Sequence, residues 1–297
     1  MKCLINEIAK KDRAKCLNEK KEGFRRWTKD HITETEFIIT PDTRNCALSD
    51  TYDCFVVGSD QVWNPVYRRG FSVDFLTFAP EDKRIAYAPS FGISSIPDEF
   101  EDDYRIWLSG MKSLSVREQV GASMIRELTG RDAAVLCDPT LMLSRSQWLA
   151  ISNPAILKPR SPFLLTYFLG KVPRDVRKRI RRIASRSGLE VVNLASLQDK
   201  ERYRTDPSEF IDYVDSSQLF LTDSFHGVAF SILLEKPFVV FERAGNGPQM
   251  GSRIDTILST FGLESRRWGL VRDYSDIHDV DFSHVPSILK SERNRAL

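Results

Sequence analysis

The segment of residues 219–234 constrains the fold more than any other part of the chain. Residues 219–222 are an apolar run of the kind that forms a buried strand in a parallel sheet. Asp223 and Ser224 follow, and both are favourable residues for capping the apolar helix expected after them. The pattern therefore predicts a strand, a tight turn and a helix, with His226 in or beside the first helical turn.

The predicted turn suits both an anion and a proton-transfer group. Free N–H groups and the positive end of the dipole at a helix N-terminus attract negative charge, so Ser224 and Gly227 are candidate anion-binding residues. The same dipole disfavours a protonated imidazole, and we expect His226 to be neutral and able to transfer a proton near neutral pH. The alternative is a buried histidine that hydrogen-bonds a loop, and the local pattern does not separate the two interpretations.

Composition excludes several classes of function. The chain has 297 residues and a net charge of +2, so no strong positive field points to nucleic acid as a partner. Its five cysteines lack CxxC spacing and its four histidines lack HExxH spacing, which argues against a disulfide framework and a metal site. The N-terminus is charged, and no apolar run is long enough to span a bilayer. We therefore expect a cytoplasmic protein without a signal peptide.

Short apolar strands alternate with helices along the chain, and a connector of residues 144–162, rich in Ser, Pro and Asn, divides it. This pattern predicts an α/β protein with two Rossmann-like domains that contain parallel sheets, residues 1–145 and 146–297, facing each other across a cleft. Residues 1–30 are predicted to be a solvated helical arm. The predicted strands are residues 54–57, 84–88, 113–116, 134–136, 163–169, 189–193, 219–222 and 237–241.

Polar residues follow four of the predicted strands. Asp60 and Arg117 follow strands of the first half, while His226 with Asp223 and Arg243 follow strands of the second. Ligands of parallel α/β sheets bind beyond the carboxyl ends of the strands. We therefore expect these side chains to converge in the cleft between the two halves.

Five motifs and one short segment, taken in this order, are more specific together than any of them alone. They are Val57-Gly58-Ser59-Asp60-Gln61-Val62-Trp63-Asn64-Pro65, Tyr87-Ala88-Pro89-Ser90-Phe91-Gly92, Ser115-Val116-Arg117-Glu118, Asp138-Pro139-Thr140-Leu141, Thr222-Asp223-Ser224-Phe225-His226-Gly227 and Glu235-Lys236-Pro237-Phe238.

With these motifs the chain resembles the polysaccharide pyruvyl transferase family over roughly residues 20–290. The resemblance implies a fold like that of the GT-B glycosyltransferases. It also implies transfer of pyruvate from phosphoenolpyruvate to two hydroxyls of a sugar, which forms a ketal on a surface or capsular polysaccharide. The implied partners are phosphoenolpyruvate and a sugar or lipid-linked glycan, with no metal and no cofactor.

Two features depart from the family pattern. Members usually begin with a strand, a turn containing Gly or Asn and a long helix, whereas this chain starts at the arm after that unit. The first domain is therefore expected to lack its first βα unit. Some members have Arg before the Leu-His pair of the last motif, where this chain has Phe225, so a carboxylate or phosphate contact from that position is not transferred.

The implied reaction assigns roles to several residues. Ketal formation from an enol phosphate needs an acid, a base and groups that bind a carboxylate and a phosphate. His226 is the predicted proton-transfer group, while Asp60 and Asp223 either act as base, orient His226 or cap turns. Arg117 is predicted to bind the anion in a fork, the alternative being an ion pair with Glu118 or another carboxylate.

Three further cations are candidates for binding substrate. Arg243 and Arg253 flank the Gly-rich loop of residues 244–251 and are predicted to reach phosphate, with a plain surface role as the alternative. Lys236 lies at a helix end, where a cation is favoured with or without a ligand. The helix predicted at residues 173–187 carries seven Lys or Arg residues, and it is either a solvated face or a contact with an anionic membrane surface.

Two other functions remain open at this point. One is a GT-B glycosyltransferase that uses a nucleotide sugar, although no clear acidic pair for a ribose follows the Gly-rich loop. The other is a truncated, non-catalytic relative, because the expected N-terminal βα unit is missing. The acceptor predicted for the pyruvyl transferase is a galactose- or mannose-type sugar.

Overall fold

The computed structural model describes residues 2–43, 47–244, 251–271 and 274–297. The predicted Gly-rich loop of residues 244–251 falls largely on residues 245–250, which lie outside the described residues. The strands are β1 (Phe55–Val57), β2 (Arg84–Ala86), β3 (Ser115–Val116), β4 (Ala134–Val135), β5 (Phe163–Tyr167), β6 (Glu190–Asn193), β7 (Leu219–Thr222) and β8 (Phe238–Val240). The helices are α1 (Lys2–His31), α2 (Pro65–Arg68), α3 (Asp98–Ser109), α4 (Gln119–Thr129), α5 (Arg145–Ala150), α6 (Arg174–Ser187), α7 (Lys200–Tyr203), α8 (Pro207–Ser216), α9 (Phe225–Leu233), α10 (Gly251–Thr260), α11 (Tyr274–His278) and α12 (Val285–Ala296).

The chain forms two compact units, each assembled from three stretches of sequence. We call them the β1–β4 unit and the β5–β8 unit. The β1–β4 unit contains Glu36–Met142, Gly247–Leu263 and His284–Leu297. The β5–β8 unit contains Met1–Thr35, Leu143–Asn246 and Glu264–Ser283.

In the β1–β4 unit, β1 pairs with β2 and β3 pairs with β4, both in parallel. A parallel bridge between Ile85 and Ser113 joins the two pairs. Next to it, the Ser115 hydroxyl donates to the Ala86 carbonyl at 2.7 Å and accepts from the Ala88 N–H at 2.9 Å. The carboxyl ends of the four strands therefore share one edge.

The core beneath these strands is rich in aromatic residues. Trp63 stacks on Phe75 at 5.2 Å between ring centroids, and Tyr104 of α3 meets Phe75 edge-on at 4.7 Å. The Trp63 indole donates to the Asp74 carbonyl at 2.8 Å, and the Tyr104 hydroxyl donates to the Trp63 carbonyl at 3.0 Å. Both polar groups are thus satisfied inside the core, which holds the segment after β1 in place.

The β5–β8 unit contains a four-stranded parallel sheet in the order β6-β5-β7-β8. All four residues of β7 are buried, as the continuous apolar run predicts for a central strand. The α9 helix that follows is also almost wholly buried. The predictions of parallel sheets in an α/β protein and of a strand, turn and helix at this position are confirmed.

The N-terminal helix α1 belongs to the β5–β8 unit. The predicted domain boundary at residue 145 would instead place this helix in the first domain. Its Trp27 indole donates to the Ser208 hydroxyl at 2.8 Å, and Cys16 is 1% exposed. Glu19 forms an ion pair with Arg204 at 2.6 Å. The helix is therefore docked rather than a solvated arm, because these contacts tie it to segments far away in sequence.

The C-terminal helix α12 is likewise grouped with the β1–β4 unit, not with the half that precedes it in sequence. Its Arg293 donates to the Leu141 carbonyl at 2.8 Å, and Arg295 donates to the Val135 carbonyl at 3.0 Å.

Among the helices described, none has the length and apolar character needed to cross a bilayer.

The turn after β1 depends on Gly58. Its φ is +136°, and an added Cβ would lie 2.0 Å from the Tyr87 carbonyl oxygen. We expect Gly58→Ala to lower the free energy of unfolding by on the order of 3 kcal/mol, because strain and a backbone clash act together. Urea denaturation of the purified variant measures the loss.

Gly130 is the matched control, since it lies in the same unit with a φ of +71° but no atom within 4 Å of an added Cβ. Gly130→Ala should cost only about 1–2 kcal/mol, the usual penalty of a left-handed residue. Equal losses for the two variants would contradict the role given to the Tyr87 contact.

Candidate functional site

A buried ion pair organises the carboxyl edge of the β1–β4 unit. The Arg117 side chain, directly after β3, is 2% exposed, and its Nη2 lies 2.7 Å from Oδ2 of the buried Asp138 after β4. The same Nη2 donates to the Ser59 hydroxyl at 2.6 Å, and Ser59 donates to Asp138 at 2.9 Å. Three strand ends are thus joined by one hydrogen-bonded group. The alternative predicted for Arg117, an ion pair with a carboxylate, is therefore observed at Nη2, with Asp138 as the partner.

Asp60 is the solvent-facing member of the same group, with a side chain that is 62% exposed. Its Oδ1 lies 3.6 Å from Nη1 of Arg117 and 3.5 Å from Nη1 of Arg253. Its carbonyl oxygen accepts from the Ser90 N–H at 2.7 Å, which anchors the backbone at this point. Arg253, on α10, is 1% exposed, so the plain surface role weighed for it is wrong.

Glu118 lies beside both arginines and is fully buried. Its Oε1 accepts from the Ser90 hydroxyl at 2.9 Å and from the Phe91 N–H at 3.0 Å. Burial raises the pKa of the Glu118 carboxyl, although the hydrogen bond from Ser90 and the nearby Arg253 and Arg117 act in the opposite direction. Glu118 therefore holds the loop after β2 against the start of α4.

Sequence alone singles out neither Ser59 nor Asp138 as a site residue. Both lie inside motifs that carry the family resemblance, and both follow strands. Their position after a strand is the sequence feature that could have identified them. Small polar and acidic side chains are common in turns for purely structural reasons. Only their contacts with Arg117 distinguish them from ordinary turn residues.

At the carboxyl edge of the β5–β8 unit, Asp223 holds the backbone of the loop after β5. Its Oδ1 accepts from the Leu169 N–H at 2.7 Å, and its Oδ2 accepts from the Gly170 N–H at 2.8 Å. Arg243 donates through Nη2 to the Asp223 carbonyl at 3.2 Å and places Nε 3.5 Å from Oδ2. Because Asp223 is 1% exposed and both oxygens accept hydrogen bonds, it positions the loop after β5 instead of presenting a base.

Ser224 is the N-cap of α9, and its hydroxyl accepts from the Gly227 N–H at 3.3 Å. His226 lies in the first turn, half-buried, with its ring edge-on to Phe225 at 5.6 Å between centroids. An added Cβ on Gly227 would lie 2.7 Å from Oγ1 of Thr222, so the close packing of helix on strand requires glycine there. The predicted placement of His226 at a helix N-terminus is thus observed.

Lys236 does not join this group. It precedes β8, and the Pro237 carbonyl accepts from the Phe220 N–H, which places Lys236 at the amino edge of the sheet. There its Nζ lies 3.8 Å from Asp215. Burial, and to a lesser extent Arg145, lower the pKa of the Lys236 ammonium, while Asp215 acts against them. The predicted substrate-binding role of Lys236 is therefore not supported by its position.

Neither edge offers an evident metal site within the part of the chain that the structure describes. No group of three or more His, Cys, Asp or Glu side chains is arranged there to hold an ion. What the two edges do offer is distinct chemistry. The β1–β4 edge has two buried guanidiniums, and the β5–β8 edge has an imidazole at a helix N-terminus.

A family model described as polysaccharide pyruvyl transferase matches residues 4–245, which is more than half of the chain. The matched region contains both site edges apart from Arg253. No curated protein matched the sequence. The extent of the family match shows that the chain belongs to the polysaccharide pyruvyl transferase family.

Proposed function

We propose that this protein transfers pyruvate from phosphoenolpyruvate to two hydroxyls of a sugar, forming a ketal during the synthesis of a surface polysaccharide. The observation that carries the proposal is His226 in the first turn of α9, directly beyond the carboxyl end of β7, in a chain of this family. An imidazole at a helix N-terminus is favoured in its neutral form, which is the form that accepts a proton.

The reaction requires little beyond binding and proton transfer. One sugar hydroxyl adds to the central carbon of the enol phosphate while the methylene carbon takes up a proton and becomes a methyl group. The second hydroxyl then displaces phosphate, and its proton leaves with the phosphate. In this scheme His226 accepts a hydroxyl proton and returns it to carbon or phosphate. The remaining groups bind and orient the anions.

Asp223 and Arg243 lie at the same edge as His226 and support its proposed role by holding the backbone and by offering a cation. Asp223 fixes the backbone at Leu169 and Gly170 and pairs with Arg243. Arg243 thereby stays at the carboxyl edge, close to the turn that holds Ser224. A guanidinium and the N–H groups of a helix N-terminus are both suited to a phosphate or carboxylate.

A donor test follows directly from this proposal. We expect phosphoenolpyruvate to raise the melting temperature of the protein, because a ligand at a hundred times its Kd stabilises the folded state by about 2.7 kcal/mol. Nucleotide sugars at the same concentrations should leave it unchanged. Stabilisation by a nucleotide sugar and not by phosphoenolpyruvate would favour a glycosyltransferase and overturn the proposal.

The role of His226 is tested by His226→Gln, which keeps hydrogen bonding but removes proton transfer. Phosphate release from phosphoenolpyruvate in the presence of galactose- or mannose-type acceptors should fall by about 100- to 10,000-fold. His278→Gln is the control, since His278 belongs to the same unit and contacts the Ser187 hydroxyl at 2.9 Å. A rate for His226→Gln within a factor of a few of the parent would assign proton transfer to another group.

A peripheral contact with anionic membrane is part of the same proposal, since a lipid-linked glycan is presented at such a surface. Ile180, Ile183 and Ala184 of α6 are buried in the core, so its apolar stripe is not available to lipid. Its exposed basic side chains are available, and their attraction to lipid is purely electrostatic. These residues are Arg174, Arg177, Lys178, Arg179, Arg181, Arg182 and Arg186.

Replacing Arg177, Lys178 and Arg181 by Gln should weaken binding to anionic vesicles at low salt, by about 1 kcal/mol for each charge removed. Vesicle sedimentation measures the change, and neutral vesicles should bind neither protein. The control variant replaces the exposed Lys21, Arg26 and Lys29 of α1, which changes the net charge equally. Equal weakening by both variants, or equal binding to neutral vesicles, would exclude a specific role for α6.

A further inference from the structure

The β5–β8 unit contains a cavity of about 680 Å³ whose lining residues have no part in the proposed reaction. Binding sites for small molecules usually have volumes of about 300–1,000 Å³, so the cavity is large enough for such a ligand. Its described walls come from residues 265–271 and from Asp276 and Asp279, which lie in and directly after α11. Every one of these residues belongs to the β5–β8 unit.

The cavity lies at the carboxyl edge of the sheet. Arg267 forms a parallel bridge with Val240, the last residue of β8. The next residue, Trp268, stacks on Phe241 at 4.9 Å between ring centroids, and the cavity wall continues from there. Because the bridge is parallel, this segment leaves the sheet at the edge where β7 leads into the turn of His226. The end of β8 lies between this segment and β7.

Arg266 is the buried charge in the cavity wall, and it is 3% exposed. Its Nη1 donates to the Asp276 carbonyl at 2.8 Å. Its Nε is buried and has no hydrogen-bond partner among the described residues. A guanidinium has five N–H donors and stays charged in proteins, so the bond to Asp276 uses only part of its hydrogen-bonding capacity. The cavity wall therefore includes a cation that can still donate to an acceptor oxygen.

Two carboxylates offset this positive charge. Asp276 and Asp279 line the cavity together with Arg266. Burial lowers the pKa of the Arg266 guanidinium, and the two carboxylates act against that effect. With one positive and two negative side chains in the described wall, a bound anion would be attracted by Arg266 but repelled by both carboxylates. The charges of the wall therefore favour a neutral ligand.

The other wall residues fit a ligand that is rich in hydroxyl groups. Carboxylate oxygens accept hydrogen bonds from hydroxyls, and a guanidinium donates to them. Leu270, which is 56% exposed, and Val271 add apolar surface to the same wall. A sugar ring has hydroxyls at its rim and C–H groups on its faces, so it can use the polar and the apolar parts of this wall together.

We propose that this cavity binds a neutral sugar ring of the acceptor glycan, next to the ring that receives pyruvate. This inference rests on the proposed function, which requires a glycan as the acceptor. The cavity is assigned to a neighbouring ring because the end of β8 separates its wall from the strand that leads to His226. Arg266 and Asp279 are then specificity residues for the glycan and take no part in proton transfer.

Gly269→Phe tests the proposal by filling the cavity. Gly269 lines the cavity, its φ lies outside the left-handed region, and no atom lies within 4 Å of an added Cβ, so the variant should fold. Titration calorimetry uses neutral oligosaccharides of galactose or mannose as probes. We expect the variant to bind them about tenfold or more weakly than the parent, because the new side chain occupies the space of the ring. The affinity for phosphoenolpyruvate should stay unchanged.

Asp279→Ala is the second variant, and it removes a hydrogen-bond acceptor from the wall without filling the cavity. Its effect on the same titrations should be a weakening of about three- to tenfold. Asp175→Ala is the matched control, since Asp175 is an exposed carboxylate of the same unit that does not line the cavity. This control should bind every probe as the parent does. Thermal melts show whether each variant is folded.

Oligosaccharide binding that is absent in the parent, or equally tight in the parent and in Gly269→Phe, overturns the proposal. Weaker binding of inorganic phosphate to Gly269→Phe would also overturn it, since the cavity would then be an anion site. Loss of affinity in both cavity variants, with Asp175→Ala unchanged, supports a sugar site.

Transfer assays separate this result from the fate of the proposed function. Gly269→Phe should raise the KM for an oligosaccharide acceptor and leave kcat, the KM for phosphoenolpyruvate and the KM for a monosaccharide acceptor unchanged. An equal rise in KM for the monosaccharide would place the reacting ring in the cavity and contradict the assignment. Oligosaccharide binding that depends on the cavity, in a protein that transfers no pyruvate, supports the sugar site while rejecting the reaction.

Discussion

Parallel pairing of short strands is the constraint on which both candidate sites depend. A strand that is buried along its whole length, such as β7, excludes charged side chains, so the charged residues of its motif follow the strand. Within each unit the strands run in one direction, and their carboxyl ends therefore lie at one edge. Ser59, Arg117 and Asp138 meet for this reason, although they are far apart in sequence.

Buried charges give each edge its fixed geometry. Arg117 and Asp138 lose hydration on folding and form an ion pair at 2.7 Å, so removing either one takes away the shortest charge contact of a buried partner. Asp223 is held in a similar way by two backbone N–H groups. At both edges one residue remains accessible beside this rigid set, namely the exposed Asp60 in one unit and the half-buried His226 in the other. Rigid support beside an accessible group is what binding and proton transfer require.

The family match ends at residue 245, yet the β1–β4 edge includes Arg253 from beyond it. Arg253 reaches that edge because Gly247–Leu263 is grouped with the β1–β4 unit, even though it follows the whole β5–β8 sheet in sequence. A long side chain that is 1% exposed and faces Asp60 is unlike a surface arginine. The buried guanidiniums of this edge therefore include one from outside the matched part of the chain.

Local pattern by itself predicted the strands and several of the helices, although the predicted connector of residues 144–162 contains α5. The apolar run of residues 219–222 and the Ser224 cap predict β7 and α9, and the apolar segments of the first half predict β1 to β4, because burial and capping act over a few residues. Tertiary structure alone decided which units residues 1–35 and 284–297 join, since contacts such as Trp27 with Ser208 lie outside any local pattern. It also placed Lys236 at the amino edge of the β5–β8 sheet and buried Arg253 at the carboxyl edge of the β1–β4 unit. Hydrophobic periodicity shows which face of an element is covered, but the partner that covers it, and the charge that a buried side chain meets, depend on residues distant in sequence.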